Sequence, residues 1–201
     1  MVMRILVFLL LGWLPLAAGA TTVLVMGDSL SAGYGIAVDR GWVALLEKRL
    51  QKEHEGARVV NASITGETTA GGRRRLPALL ARHRHDIVIL ELGGNDGLRG
   101  LPPRQMAANL AAMIDMARQA GARVLLLGMK IPANYGPGYR QRFEAVFQRL
   151  AREKQVAFVP FFLQDVALDA RLMQADGIHP NAEAQDEMLD RVWPVLEAML
   201  N

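Results

Sequence analysis

The chain of 201 residues contains no cysteine. That absence excludes disulfides, thiolate nucleophiles, zinc-thiolate centres and iron-sulfur clusters, and leaves packing as the source of stability. Strong charge of one sign is also lacking: 23 Lys and Arg stand against 20 Asp and Glu, a formal net charge of +3. Such a balance points to no nucleic-acid partner. Neither Gly-x-Gly-x-x-Gly nor Gly-x-x-x-x-Gly-Lys-Ser/Thr occurs, so the phosphate-cradling loops of dinucleotide and P-loop sites are missing. There is no internal repeat, low-complexity segment or linker, and one domain over 21–201 is the economical organisation.

One apolar run is long, but shorter than the roughly 20 residues that span a bilayer. It covers 5–16, follows Arg4 and leads to Ala18-Gly19-Ala20. This is the pattern of a secretory signal peptide over 1–20, cleaved before Thr21, with the periplasm or the exterior as destination. Cleavage removes Arg4 and lowers the net charge from +3 to +2.

The remainder has the make-up of an ordinary globular domain, 51% hydrophobic and 21% charged. Short β-branched and apolar runs at 22–26, 57–61, 87–92, 124–128 and 156–161 read as strands. Helical periodicity over 41–53, 76–83, 105–119, 139–154 and 182–200 alternates with them, and Pro194 should bend or cut short the last helix. The continuous apolar runs Ile87-Val88-Ile89-Leu90 and Val124-Leu125-Leu126-Leu127 suit strands covered on both faces. The fold class is therefore α/β, doubly wound around a parallel sheet, with ligands expected beyond the carboxyl ends of the strands.

The polar, glycine-rich segments all follow strands. Gly27-Asp28-Ser29-Leu30 comes after the first, Asn61 to Gly72 after the second, and Gly93-Gly94-Asn95-Asp96-Gly97 after the third. A Ser hydroxyl becomes nucleophilic when an imidazole takes its proton and a carboxylate fixes the imidazole tautomer. Ser29 supplies the hydroxyl, and Asp176 and His179, three residues apart around Gly177, supply the other two groups, with Pro180 suited to the first turn of the helix that follows. The Ser29 and Gly66 amides and the Asn95 side chain are candidate oxyanion donors. Taken singly, Ser29 is equally a helix N-cap, Gly66 and Asn95 turn residues, and His179 the cap of the last helix. His54, His83 and His85 read as solvated, among Lys, Arg and Glu. Arg73-Arg74-Arg75 and Arg82-His83-Arg84-His85 read as solvated helix faces, with attraction of anionic carriers or head groups as the sharper alternative.

Gly27-Asp28-Ser29-Leu30, Gly66, Gly94-x-Asp96 around Asn95 and Asp176-x-x-His179 together resemble the four blocks of the SGNH hydrolases, the GDSL lipase/esterase superfamily. Beyond these blocks, Thr65-Gly66-Glu67-Thr68-Thr69-Ala70-Gly71-Gly72, Pro132-Ala133-Asn134-Tyr135-Gly136 and Asp176-Gly177-Ile178-His179-Pro180-Asn181 resemble its bacterial periplasmic thioesterase and lysophospholipase members. The resemblance implies a flavodoxin-like three-layer sandwich with a five-stranded parallel sheet. It implies an esterase acting on acyl thioesters, aryl esters and lysophospholipids, with Ser29 as nucleophile, His179 as base, Asp176 as its orienting carboxylate, and Ser29, Gly66 and Asn95 as the oxyanion hole. It implies no metal and no cofactor. The segment 95–101 resembles a loop that closes over acyl chains, and Lys130 stands where an arginine is expected.

Leu30, Leu98, Leu101 and Ile131 are the apolar candidates for contact with an acyl chain. The partners expected are small acyl esters, thioesters or lysophospholipids, with transient membrane-surface contact, for a monomeric enzyme. Two further readings stay open: a carbohydrate acetylesterase on the same scaffold, which needs a small polar pocket, and a non-catalytic flavodoxin-like module holding FMN or a phosphate. The ordinary α/β-hydrolase elbow fits poorly, because Ser31 stands where Gly-x-Ser-x-Gly requires its second glycine.

Overall fold

The computed structural model describes residues 21–200; the signal peptide expected over 1–20 lies outside them. Five apolar runs form β1 (Thr22–Gly27), β2 (Arg58–Asn61), β3 (Ile87–Glu91), β4 (Arg123–Leu127) and β5 (Ala157–Val159). All neighbours pair in parallel, in the order β2-β1-β3-β4-β5. This is the flavodoxin-like order expected above. Every residue of the central strands β1 and β3 is buried, while the edge strands β2 and β5 keep half-exposed positions, as follows when helices cover both faces.

The helices are α1 (Ser29–Ala32), α2 (Trp42–Glu53), α3 (Thr69–Arg82), α4 (Gly94–Leu98), α5 (Pro103–Gln119), α6 (Pro137–Lys154) and α7 (Gln185–Leu200). The chain steps outward from β1 to β2, then returns across β1 to β3 and beyond. Right-handed crossovers therefore put α2 on one face and α3, α5 and α6 on the other. On the first face α7 packs against α2; on the second, α5 packs between α3 and α6. Trp42, Leu46 and Leu50 fill one side of the sheet, and Leu110, Met113, Ile114, Phe143 and Phe147 the other.

Four local expectations are corrected. The helix expected from residue 76 begins at Thr69, because the Thr68 hydroxyl caps it by accepting from Gly71 N–H (3.3 Å). Its two early glycines are not loop residues: a Cβ at Gly72 would lie 2.5 Å from Leu92 Cδ1, so the helix needs glycine to approach the sheet. The segment 93–97 is no open loop either, since Gly93, at φ 123°, turns the chain into α4. Helix α7 runs on past Pro194 to Leu200. Burial of Val192, Trp193 and Leu196 outweighs the ~3 kcal/mol that a proline costs within a helix.

The fourth correction concerns charge. His85 is buried, 3% exposed, with Nε2 3.3 Å from the Leu79 carbonyl oxygen, and burial pushes its pKa down. His83 is exposed and His54 partly so, as expected. Nor is the arginine run uniform: Arg73 and Arg74 are exposed, but Arg75 pairs with Glu67 (2.8 Å) and donates to the Ala62 carbonyl (2.7 Å). It thereby fixes the β2–α3 loop that carries Gly66.

Candidate active site

The strand order reverses between β1 and β3, and the carboxyl edge at that point is where such sheets hold ligands. At the end of β1, Asp28 caps α1 by accepting from Leu30 N–H (3.1 Å), which makes Ser29 the first helical residue. A first helical residue keeps a free N–H. The expectation that Ser29 could be the cap itself is thus replaced: Asp28 has that role, and the hydroxyl of Ser29, a residue 8% exposed, is left free of the cap.

His179 arrives from a loop 150 residues away. Its Nε2 lies 2.9 Å from Ser29 Oγ, and its Nδ1 lies 2.6 Å from Asp176 Oδ2. The other Asp176 oxygen accepts from the main-chain N–H of Ile178 (2.9 Å) and His179 (3.0 Å). The His179 N–H foremost, then the imidazole and the Ile178 N–H, hold the Asp176 carboxyl down at about 2. A carboxylate only accepts, so Nδ1 bears the proton and Nε2 is left to accept from the Ser29 hydroxyl.

The loop is clipped to the nucleophile side by Gln174, whose Nε2 donates to the carbonyls of Tyr34 (2.8 Å) and Pro180 (3.0 Å) and whose N–H donates to that of His179 (2.7 Å). The Tyr34 ring lies 4.5 Å from the imidazole. Asn181, not His179, caps the turn before α7 by accepting from Glu183 N–H. Pro180 precedes that cap and forms a bridge with Met173, instead of opening the helix.

Gly66 and Asn95 are brought to the same edge. Asp96 of α4 accepts from Thr69 N–H (2.8 Å) and Thr69 Oγ1 (2.5 Å), tying the turn that holds Asn95 to the start of α3. Arg99 donates to the Gly66 carbonyl (2.9 Å). Gly66 adopts φ 76°, and among the described residues no acceptor takes its N–H. Asn95 Nδ2 donates to Asp28 Oδ2 (3.0 Å), which occupies one of its two protons and leaves the other. Burial raises the Asp28 carboxyl to about 6, against the pull of the Leu30 and Asn95 donors.

Ser29, Asn95 and His179 open on a cavity of about 610 Å³. Of the four apolar candidates, Leu30, Leu98 and Ile131 line it and Leu101 does not. Leu101 is held aside by its N–H on the Asp96 carbonyl (2.9 Å) and its carbonyl on the Tyr139 hydroxyl (2.7 Å). The remaining wall includes Met129, Phe161, Leu163, Leu168 and Met173, which come from the connections after β4 and β5 and were not singled out from the sequence. Glu91, buried at the end of β3 and hydrogen-bonded to the turn that carries Ser29, was equally hidden in a strand-like run. Among the described residues no cluster of three or more His, Asp or Glu forms a metal site.

Residues 25–186 match the GDSL-like Lipase/Acylhydrolase family. The chain is 54% identical over 183 residues to Esterase TesA of Pseudomonas aeruginosa, covering 91% of each chain. It is 44% identical to Thioesterase 1/protease 1/lysophospholipase L1 of Escherichia coli strain K12, covering 92% of this chain and 88% of that one. Among solved structures it resembles that of TesA (TM-score 0.87, 53% identity, 89% of this chain and 99% of the other). It also resembles the psychrotrophic esterase EstA from Pseudoalteromonas inhibited by monoethylphosphonate (TM-score 0.85, 40% identity, 90% and 99%). With the family's pattern matched over 25–186 and Ser29, Asp176 and His179 meeting at the sheet edge, the chain belongs to the GDSL-like lipase/acylhydrolase family.

Proposed function

We propose that the protein is a serine hydrolase that cleaves esters and thioesters of fatty acyl chains through an acyl-enzyme. The observation that carries this reading is the 2.9 Å contact of His179 Nε2 with Ser29 Oγ, backed by Asp176, at the mouth of a large apolar cavity. Ser29 attacks the acyl carbonyl as His179 takes its proton, and Asp176 stabilises the imidazolium. The free N–H of Ser29, that of Gly66 and the spare Asn95 proton hold the oxyanion. His179 then protonates the departing alcohol or thiol, and a water molecule repeats the sequence to release the acid.

The apolar lining, from Leu98, Met129, Ile131, Phe161 and Leu163, supports an acyl chain and speaks against a carbohydrate acetylesterase, which asks for a small polar pocket. Leu168, 97% exposed, and Ile178, 42% exposed, line the same cavity as Lys130, whose ammonium lies 4.9 Å from the Phe161 ring. This apolar lip with a cation supports brief contact of a monomeric enzyme with a lipid surface. The relatives whose names include esterase, thioesterase and lysophospholipase are consistent with the substrate range. Export with cleavage before Thr21 would keep in the mature chain the Thr21 carbonyl, which accepts from Arg58 N–H at the start of the β1–β2 pairing.

The test is a panel of acyl esters and thioesters of increasing chain length, with a fluorophosphonate label and the Ser29→Ala variant. Hydrolysis should extend to long chains, and substitution should abolish both turnover and labelling. Labelling that persists in Ser29→Ala would refute the assignment.

A further inference from the structure

Glu91 takes no part in the steps above, yet it lies directly under the nucleophile turn. It is the last residue of β3 and fully buried. Its Oε2 accepts from two donors that flank Ser29 in sequence, the main-chain N–H of Asp28 (3.2 Å) and the hydroxyl of Ser31 (2.6 Å). The Ser31 oxygen in turn accepts from the Trp42 indole N–H (3.2 Å). Ser31 is the residue at the place where an α/β-hydrolase elbow has glycine, and here its hydroxyl ties the turn to the sheet.

The second oxygen of Glu91 is different. Oε1 is buried and has no partner among the described residues. A carboxylate would leave charge on that unsolvated oxygen, at a large penalty, whereas an uncharged acid, with its proton on Oε1 while Oε2 accepts, leaves only one neutral hydroxyl unmatched. The buried Asp28 carboxyl is hydrogen-bonded to the same turn, and two neighbouring buried carboxyls resist ionising together. Burial, and then the Asp28 charge, push the Glu91 carboxyl well above its ordinary range. An anion here would also oppose the negative charge that forms on the substrate.

We propose that Glu91 is a positioning residue that, as an uncharged hydrogen-bond acceptor, fixes the 28–31 turn and with it both the Ser29 donor and the Asn95 donor. The proposal rests on Ser29 being the nucleophile. The link to Asn95 runs through Asp28, whose main-chain N–H sits on Glu91 while its side chain holds Asn95 Nδ2. One anchor thus sets the separation of two oxyanion donors that come from different strands. None of the residues Glu91 contacts by hydrogen bond lies on the wall of the acyl cavity apart from Asp28, so its loss should act on turnover and not on substrate affinity.

The test compares Glu91→Leu, which keeps the volume and removes the acceptor, with Glu91→Gln, which keeps an acceptor without charge. Steady-state hydrolysis of a soluble short-chain aryl ester and the rate of fluorophosphonate labelling are read on each. Glu91→Leu should lower kcat and the labelling rate about 10- to 100-fold, the scale of a misplaced oxyanion donor, with KM within about twofold. Glu91→Gln should restore both to within about threefold of the wild type. Equal rates in Glu91→Leu and wild type overturn the proposal, as does a Glu91→Gln variant as slow as Glu91→Leu. Should Glu91→Leu fail to fold, Ser31→Ala decides: kcat about 3- to 10-fold down with KM unchanged supports the anchor, and unchanged kcat overturns it. Wild-type protein labelled anywhere but Ser29 would instead refute the nucleophile assignment.

Discussion

Replacing Asn95 by alanine removes two interactions at once, and the structure separates their effects. The first is the oxyanion donor proposed above, whose loss should lower kcat by about 10²- to 10³-fold with little change in KM. The second is the bond from Nδ2 to Asp28 Oδ2 at 3.0 Å. Asp28 is 2% exposed, so the oxygen left behind has no solvent to replace the lost donor, and the expected destabilisation is about 1–3 kcal/mol.

That second effect carries a pH signature. The Asp28 carboxyl, raised by burial from 3.8 to about 6, is drawn down in part by Asn95, so the variant should raise it further. A carboxyl whose folded pKa exceeds the unfolded one contributes stability that is whole below about 4 and lost as pH rises through the folded value. Near pH 5 Asp28 is mostly protonated in both folded proteins, so ionisation adds little to the difference between them. Near pH 8 the variant must bury a carboxylate lacking one donor. Urea unfolding of both proteins at pH 5 and pH 8, with hydrolysis of an aryl ester at pH 8, measures both parts. A kcat within threefold of wild type refutes the oxyanion role, and a stability loss no larger at pH 8 than at pH 5 refutes the account of Asp28.

Gly72→Ala should destabilise the fold by about 1–3 kcal/mol, the usual result of overpacking, because the new methyl would meet Leu92 Cδ1 at 2.5 Å and Met113 Sδ at 3.3 Å; unchanged urea stability would contradict that packing. His85 works in the opposite sense to Asp28. Its pKa is lowered by burial, so its contribution is present above the unfolded value near 6.5 and is lost as pH falls through it. The difference in unfolding free energy between wild type and His85→Leu should accordingly shrink from pH 7.5 to pH 5.5, and a constant difference would count against the buried neutral imidazole.

The parallel sheet was legible because β1, β3 and β4 are written as unbroken apolar runs, and a strand covered on both faces leaves no other pattern. That Ser29, Gly66 and Asn95 lie toward one edge was legible for a related reason, as each follows a strand and all strands of such a sheet end at one edge, whereas the approach of the Asp176–His179 loop to Ser29 was legible only through the resemblance. Helix α3 was missed over its first seven residues, about two turns, because glycine argues against a helix locally, whereas the close approach to Leu92 that requires it is a long-range fact. His85 looked solvated among arginines, and only the packing around it placed its ring inside.

The amino-acid sequence by itself determined the order of strands and helices, the α/β class and the residues with the chemistry for acyl transfer, since these depend on short-range periodicity and on residue type. The tertiary structure alone decided which apolar side chains wall the cavity, with Leu168 and Met173 included and Leu101 turned away. It also decided that Glu91 lies unsolvated beneath Ser29. A glutamate at a strand end reads the same whether it faces water or a nucleophile turn sixty residues away; the surroundings that set its charge come from elements distant in the chain.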